Sequence, residues 1–345
     1  MSMRFTTATF TCTAKGTSMH IIGHKNTKNQ MRIALKAAKK LNLAPPHMLF
    51  AGVAGCGKTS MARYISKEGG SDFLQVPAAD LKDYKSIIEV LENLNHVGYD
   101  RKGNRMGEIK PTILFIDEIH RLPIGGQEPL GMAIEDFKIA AGKDGLCHWV
   151  PYFTLVGATT DDGILSKPFR ERFPMRFVFE TYPDKEMTQI IGLHANLLNI
   201  EMTPKAIGEI VKRGRGIPRI AVGYLKRVRD LCLSEGGRIL THSMTLHTFK
   251  EIGIDERGFS RVEIKILKAL YDSGIPIGLE NLSIMVNESA KTLSASTEPF
   301  LIREGLVIRS GKGRLITKKG KEYLAEAGYG GKTHKVEISA EYIRK

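Results

Sequence analysis

The chain has 345 residues, more than one compact core usually accommodates, so two or three domains are expected. Hydrophobic residues make up 42% and charged residues 26%, values of a soluble globular protein, and no run approaches the roughly 18 apolar residues of a membrane span. The net charge of +14 points to a polyanionic partner, nucleic acid ahead of a membrane surface, with a merely basic protein as the plainer alternative.

The four cysteines, Cys12, Cys56, Cys147 and Cys232, form no CxxC or Cys/His cluster. That argues against structural zinc and for a reducing, cytoplasmic compartment. No acidic residue precedes Glu68, which is part of the pattern of an organelle transit peptide. Lysine rather than arginine dominates that stretch, however, and Met31 to Lys40 already has helical spacing.

In chain order, His47 to Gly52 reads as a buried strand, Thr59 to Glu68 as a helix, Phe73 to Val76 as a strand and Tyr84 to Asn95 as a helix. Residues 96–110 are polar and glycine-punctuated, a surface loop. Thr112 to Ile116 and Phe153 to Val156 are apolar strands. Short continuous apolar strands alternating with helices predict an α/β fold with a covered parallel sheet. After Pro183, helices are expected over Asp184 to Leu198, Thr203 to Arg213 and Pro218 to Ser234, a small all-helical unit. Gly253 to Phe259 reads as a linker. Three further helical stretches and a hairpin around Ser310-Gly311-Lys312-Gly313 suggest a winged helix, followed by a loose tail.

The run Gly52 to Thr59, GVAGCGKT, fits G-x-x-x-x-G-K-[ST] and has a strand before it and a helix after it. Gly52, Gly55, Cys56 and Gly57 supply a backbone cradle for phosphates, which Ser60 follows. Lys58 would reach the β- and γ-phosphates of ATP, and Thr59 would ligate Mg²⁺. Cys56, at a helix start, is expected to be a mildly reactive thiol. The strand Ile113 to Ile116 ends in Asp117 and Glu118, where a carboxylate can hold Mg²⁺ through water and its neighbour can polarise an attacking water. Thr159 and Thr160 end the next apolar strand; Thr160 could touch that water or the γ-phosphate, although alone it reads as a polar strand end. Arg170 and Arg172 in PFRERF suit either a finger acting in trans or a surface ion pair. Arg219 stands at a helix start, unfavourable for a cation unless an anionic ligand offsets the helix dipole. From Arg303 to Lys321 seven basic residues face Glu304 alone, the pattern of a phosphate-contacting wing rather than a solvated basic face. His120 and the other histidines show no ligand spacing and read as structural or surface residues.

Together, IGHKNTKNQ, the phosphate loop, LFIDEIHRL, IEDF, FTLVGATT, PFRERF, RGRGIPRIA, EPFLI and IRSGKGR resemble the AAA+ family, and within it the RuvB family of Holliday-junction branch-migration motors. The likeness runs from about Ile22 to Tyr329. It implies a large AAA+ ATPase domain over 1–182, a small helical lid over 183–255, a winged-helix DNA-binding domain over 256–330 and a tail over 331–345. It further implies Lys58 and Thr59 on ATP and Mg²⁺, and Asp117 and Glu118 in hydrolysis. Thr160 would be the first sensor, Arg219 the second, Arg172 the trans finger, and Tyr182 a residue lining the site. Arg309, Lys312 and Arg314 would be the DNA contacts. The implied activity is ATP hydrolysis by a hexameric ring that moves double-stranded DNA at a Holliday junction in recombination and repair. The runner-up readings are a clamp-loader-like module gated by ATP without translocation, and a ring component that binds ATP without turnover. The chain departs from the family in having Asp161-Asp162 after GATT, an insertion at 96–110, and a shortened stretch between Asp136 and Phe153, where the family carries a hairpin that docks a RuvA-like partner. Such divergence suggests a phage or mobile-element version.

Overall fold

The computed structural model describes residues 21–94, 111–141 and 146–329, with the backbone alone described at 140, 141 and 146–148. The expected loop at 96–110, the tail after Tyr329 and Cys12 lie outside the described residues. By internal contacts the chain divides into two units, Met1–Leu197 with Gly216–Gly223, and Leu198–Arg215 with Tyr224–Lys345. None of the described helices is long and apolar enough to cross a membrane.

The first unit runs α1 (Lys25–Leu41), β1 (Met48–Gly52), α2 (Lys58–Gly69), β2 (Phe73–Pro77), α3 (Tyr84–Glu92), β3 (Thr112–Asp117) and α4 (Ile124–Asp136). It continues through β4 (Lys138–Ala141), β5 (Leu146–Trp149), β6 (Phe153–Thr159), α5 (Lys167–Glu171), β7 (Met175–Phe179) and α6 (Asp184–Leu197). Five strands form a wholly parallel sheet in the order β2-β3-β6-β1-β7. Composition decides who sits inside. TILFID and FTLVGAT are buried almost without interruption and take central places, whereas MRFVF alternates and forms an edge, with Val178 exposed. Strand β6 continues past Val156 to Thr159 because its ladder with β1 runs on to Ala51.

The stretch that reads as shortened holds a structural element after all. Strands β4 and β5 form an antiparallel hairpin, with Lys138 opposite Trp149. Its base is tied by the Val150 N–H donating to the Phe137 carbonyl at 2.9 Å.

His47 fixes the start of β1. Its Nδ1 accepts from the Leu155 N–H at 2.8 Å, so Nε2 carries the proton and donates to the Ile134 carbonyl at 2.8 Å. Burial pushes the imidazole down to about 4, against an ordinary value of 6.5. Above pH 6.5 the ring is neutral in folded and unfolded chains alike. As pH falls from about 6.5 to about 4 the unfolded chain takes a proton that the folded one refuses, so stability is lost across that window, by roughly 3 kcal/mol in all. Denaturant unfolding at pH 7 and pH 4.5 should therefore differ by about 2–3 kcal/mol less in His47→Gln than in the parent chain.

The second unit contains β8 (Glu201–Met202), α7 (Pro204–Arg213), most of α8 (Pro218–Ser234), β9 (Ile239–Leu240) and α9 (His242–Glu251). Thr203 and Thr241 cap α7 and α9 with their side chains. The parallel β8–β9 pair interrupts what the sequence predicts as all-helical. Next come α10 (Arg261–Ser273), α11 (Leu279–Val286), α12 (Ala290–Thr292), a π-helical turn Leu293–Thr297, α13 (Glu298–Arg303), β10 (Val307–Ser310), β11 (Gly313–Ile316) and α14 (Lys318–Glu326). This is the expected winged helix, with its own core around Leu267, Leu270, Leu301 and Leu324.

The expected linker is an ordered turn. The Asp255 carboxylate accepts from the Arg257 and Phe259 N–H groups at 2.9 and 2.7 Å and meets the Tyr323 hydroxyl. Arg215 ties the same region. Its guanidinium donates to both Glu263 carboxylate oxygens at 2.7 Å and lies 3.6 Å from the Phe300 ring centroid.

Candidate functional site

The chain leaves β1 through a loop that only glycine can begin. Gly52 has φ +127, and a Cβ there would run into the Phe179 carbonyl oxygen. Gly55 and Gly57 also have positive φ, and α2 then opens without a side-chain cap. The first N–H groups of α2, at Lys58, Thr59 and Ser60, therefore face the loop without a capping side chain, which is an anion-binding arrangement. Lys58 is buried and its Nζ donates to the Gly52 and Val53 carbonyls at 2.7 and 3.2 Å. Burial lowers the Lys58 ammonium from its ordinary value, opposed by Glu118, Cys56 and Asp117, while Arg219 adds to the lowering. Cys56 is fully buried, so the expected reactive thiol is not accessible.

Asp117 closes β3, and its Oδ1 accepts from the Glu118 N–H at 3.1 Å. Glu118 has φ +52, a left-handed conformation rare for a residue with a Cβ. The turn it starts is held down by Ile119, which is fully buried and packs where a Cβ on Gly157 of β6 would stand. Thr160, just beyond β6, donates through its hydroxyl to Glu118 Oε2 at 3.4 Å. His120 lies beside them: Nε2 is 3.4 Å from Glu118 Oε2, and Nδ1 is 2.9 Å from Thr159 Oγ1. Two sheet-end segments thus bring a carboxylate pair, two hydroxyls and an imidazole together.

Tyr182 and Arg219 belong to the same unit. The Tyr182 N–H donates to the Gly216 carbonyl at 2.8 Å, and its hydroxyl reaches the Cys56 carbonyl at 3.5 Å. Burial raises that phenol above its ordinary value. The Arg219 N–H reaches the Gly55 carbonyl at 3.4 Å, which sets the first turn of α8 against the phosphate loop. His24, which sequence reasoning passed over, caps α1 with its ring 4.8 Å from those of both Phe179 and Tyr182. Burial lowers its imidazole, and its Nε2 has no hydrogen-bond partner among the described residues.

Arg172 lies elsewhere. It ends α5, and its Nε donates to Glu135 of α4 at 2.9 Å. In the winged helix, Arg309 and Lys312 are exposed on the hairpin. Arg314, read from the sequence as a third DNA contact, is instead buried and makes a two-bond pair with Glu298 at 2.8 and 3.0 Å. Its strand faces the α13 side, so its charge is spent inside the domain. The sequence missed His120, Glu135 and Glu298. The only signal for the first was its position three residues past Asp117, at the same strand end as the carboxylates.

The donor set suits a magnesium nucleotide. The loop is a cradle that a Cβ would fill, and Thr59 and Asp117 offer hard oxygen ligands.

Comparison with known proteins agrees with this geometry. The family model of the Holliday junction DNA helicase RuvB P-loop domain matches residues 16–178. That of the RuvB AAA lid domain matches 182–255, and that of the RuvB C-terminal winged helix domain matches 256–325. The Holliday junction branch migration complex subunit RuvB of Helicobacter acinonychis (strain Sheeba) is 37% identical over 305 residues, 86% of this chain and 87% of the relative. That of a Nitratiruptor species is 36% identical over 310 residues, 88% of each. The solved Thermotoga maritima RuvB Holliday junction branch migration motor superposes with a TM-score of 0.74 at 35% identity, covering 88% of this chain and 95% of that one. Loop, strand-end carboxylates, lid and winged helix follow one plan, and this chain belongs to the RuvB family of AAA+ ATPases.

Proposed function

We propose that the chain is an ATP-driven DNA motor of the Holliday-junction branch-migration type, acting in recombination and repair. The observation that carries this is the meeting of Glu118 and Thr160 from two different strand ends, at 3.4 Å, next to the phosphate loop. Such a site can sense the γ-phosphate and activate water at once.

In this reading Gly52, Gly55, Cys56 and Gly57 offer backbone to the phosphates, and Lys58, Thr59 and Ser60 receive them at the start of α2. Thr59 and Asp117 would hold Mg²⁺, which when bound neutralises phosphate charge and orients the terminal group. Glu118 takes the proton of the attacking water. Thr160 and Arg219 sense the nucleotide, and Tyr182 lines its pocket. Arg172 acts on the site of a neighbouring copy, which requires a ring, for which we propose a homo-hexamer around double-stranded DNA. The β4–β5 hairpin is the element on which a RuvA-like junction-binding protein would dock.

The test is migration of a synthetic four-way junction, with and without a RuvA-type protein. ATP-dependent movement is expected, abolished by Lys58→Ala and Glu118→Gln. ATP hydrolysis by the parent chain with the junction never displaced would remove the motor reading.

The wing supplies a separate expectation. Arg309 and Lys312 are exposed and would contact phosphates. Arg309→Ala with Lys312→Ala should weaken duplex binding about tenfold or more at moderate salt and flatten the log–log salt slope by about two, leaving nucleotide affinity unchanged. Fluorescence anisotropy across a salt series measures both.

A further inference from the structure

We infer that His120 is a positioning residue for the general base: it ties Glu118 to the end of β6, so that the carboxylate has one orientation. The inference rests on the reading of Glu118 as that base.

The geometry has three parts. First, Glu118 stands in a left-handed backbone conformation, so its side chain leaves the strand end in a direction an ordinary extended residue would not give. A carboxylate there still has free rotation about its own bonds, and nothing in the backbone fixes it. Second, both contacts to the carboxylate fall on the same atom. Thr160 Oγ1 and His120 Nε2 each lie 3.4 Å from Oε2. A hydroxyl donor and an ion-pair partner on one oxygen restrict the plane of the group and therefore the direction of Oε1. Third, His120 is itself held. Its Nδ1 donates to Thr159 Oγ1 at 2.9 Å, and that hydroxyl is locked by Asp161, accepting from the Asp161 N–H at 2.9 Å and donating to the Asp161 carbonyl at 2.8 Å. The Thr159 side chain is fully buried and the His120 side chain is only 14% exposed, so the imidazole is packed as well as hydrogen-bonded.

Thr159 also fixes a proton on Nδ1. The Thr159 hydroxyl gives its single proton to the Asp161 carbonyl, so His120 Nδ1–H donates to Thr159 Oγ1, and the ring holds Nε2 3.4 Å from Glu118 Oε2, the ion-pair contact of an imidazolium with a carboxylate. The chain His120–Thr159–Asp161 then links the base on the β3 side to the turn that carries the sensor Thr160 on the β6 side. A displacement of the sensor turn is passed to the base directly.

The experiment is a two-by-two cycle of steady-state ATP turnover: parent, His120→Ala, Glu118→Gln and the double variant. Affinity for a fluorescent ADP analogue is read in parallel. His120→Ala should lower kcat about 10- to 100-fold with nucleotide affinity unchanged, and should cause no further loss in the Glu118→Gln background. His120→Gln, whose amide nitrogen stands near the place of Nε2, should recover more turnover than His120→Asn, whose amide stands near Nδ1. If the alanine variant does not fold, the Gln and Asn pair carries the comparison. An equal loss in both backgrounds, an unchanged kcat, or Asn matching or exceeding Gln overturns the inference. Full turnover in Glu118→Gln would instead overturn the general-base reading beneath it, and the two failures are thereby distinguished.

Discussion

Replacing Glu118 by glutamine should lower ATP turnover by about 10²–10⁴-fold while leaving nucleotide affinity within about twofold of the parent. The amide keeps the size of the side chain and can still meet the Thr160 hydroxyl, so the strand-end geometry survives. What it loses is the capacity to take a proton from water. Affinity is insulated because the phosphate cradle is built by Gly52 to Lys58 and by the start of α2, on a different segment. The partly exposed position of Glu118, with 32% of its side chain accessible, leaves room for a water at the carboxylate. Single-turnover hydrolysis together with equilibrium binding separates the two quantities. A parallel loss of affinity would mean that Glu118 shapes the loop rather than the chemistry. Lys58→Ala is the informative contrast, since it should weaken binding and turnover together.

Removing Glu298 from the winged helix should cost about 3–5 kcal/mol of that domain's stability. Glu298 and Arg314 are both buried, with side chains 9% exposed, and each satisfies the other through two bonds. Glu298→Ala leaves a guanidinium buried without its counter-charge. The double replacement Glu298→Met with Arg314→Met removes both charges and should come within about 1–2 kcal/mol of the parent, because burying two charges carries its own desolvation cost. Chemical denaturation of the full chain, followed by circular dichroism, tests the contrast. The pair also changes how DNA-binding variants should be read. A loss of binding in Arg314→Ala reports a loosened hairpin, whereas Arg309 and Lys312 report the surface.

Much of the site is legible in the sequence because its chemistry demands rigid local patterns. A phosphate loop needs glycines at fixed spacing between a strand and a helix, and GVAGCGKT supplies them. A strand that ends in Asp117-Glu118 must bring those carboxylates to the ligand-binding edge of a parallel sheet. The unread features are those set by tertiary neighbours. Whether an arginine on a basic hairpin faces DNA or the domain interior depends on strand register, and Arg314 faces Glu298, sixteen residues earlier. The partner that holds the ring of His120, Thr159, lies thirty-nine residues ahead on β6. The β4–β5 hairpin carries a weak local pattern, four residues to a strand, and so reads as connecting chain. The turn at Asp255 reads as a linker because the local bonds of its carboxylate are anchored by Tyr323 and Arg213, which are distant in sequence.

The strand order has a consequence for biosynthesis. Met48 pairs with Val156 on one side and Met175 on the other, so the apolar segment MLFAG is made long before either neighbour exists. At cellular translation rates, roughly a hundred intervening residues mean that it waits on the order of 5–20 s without a partner. The phosphate loop shares that delay, since Gly52 is seated only when Phe179 arrives. Nucleotide therefore has no site to bind on the nascent chain until most of the first unit has left the ribosome. During that interval the growing polypeptide exposes an apolar strand, which makes it a natural client for chaperones.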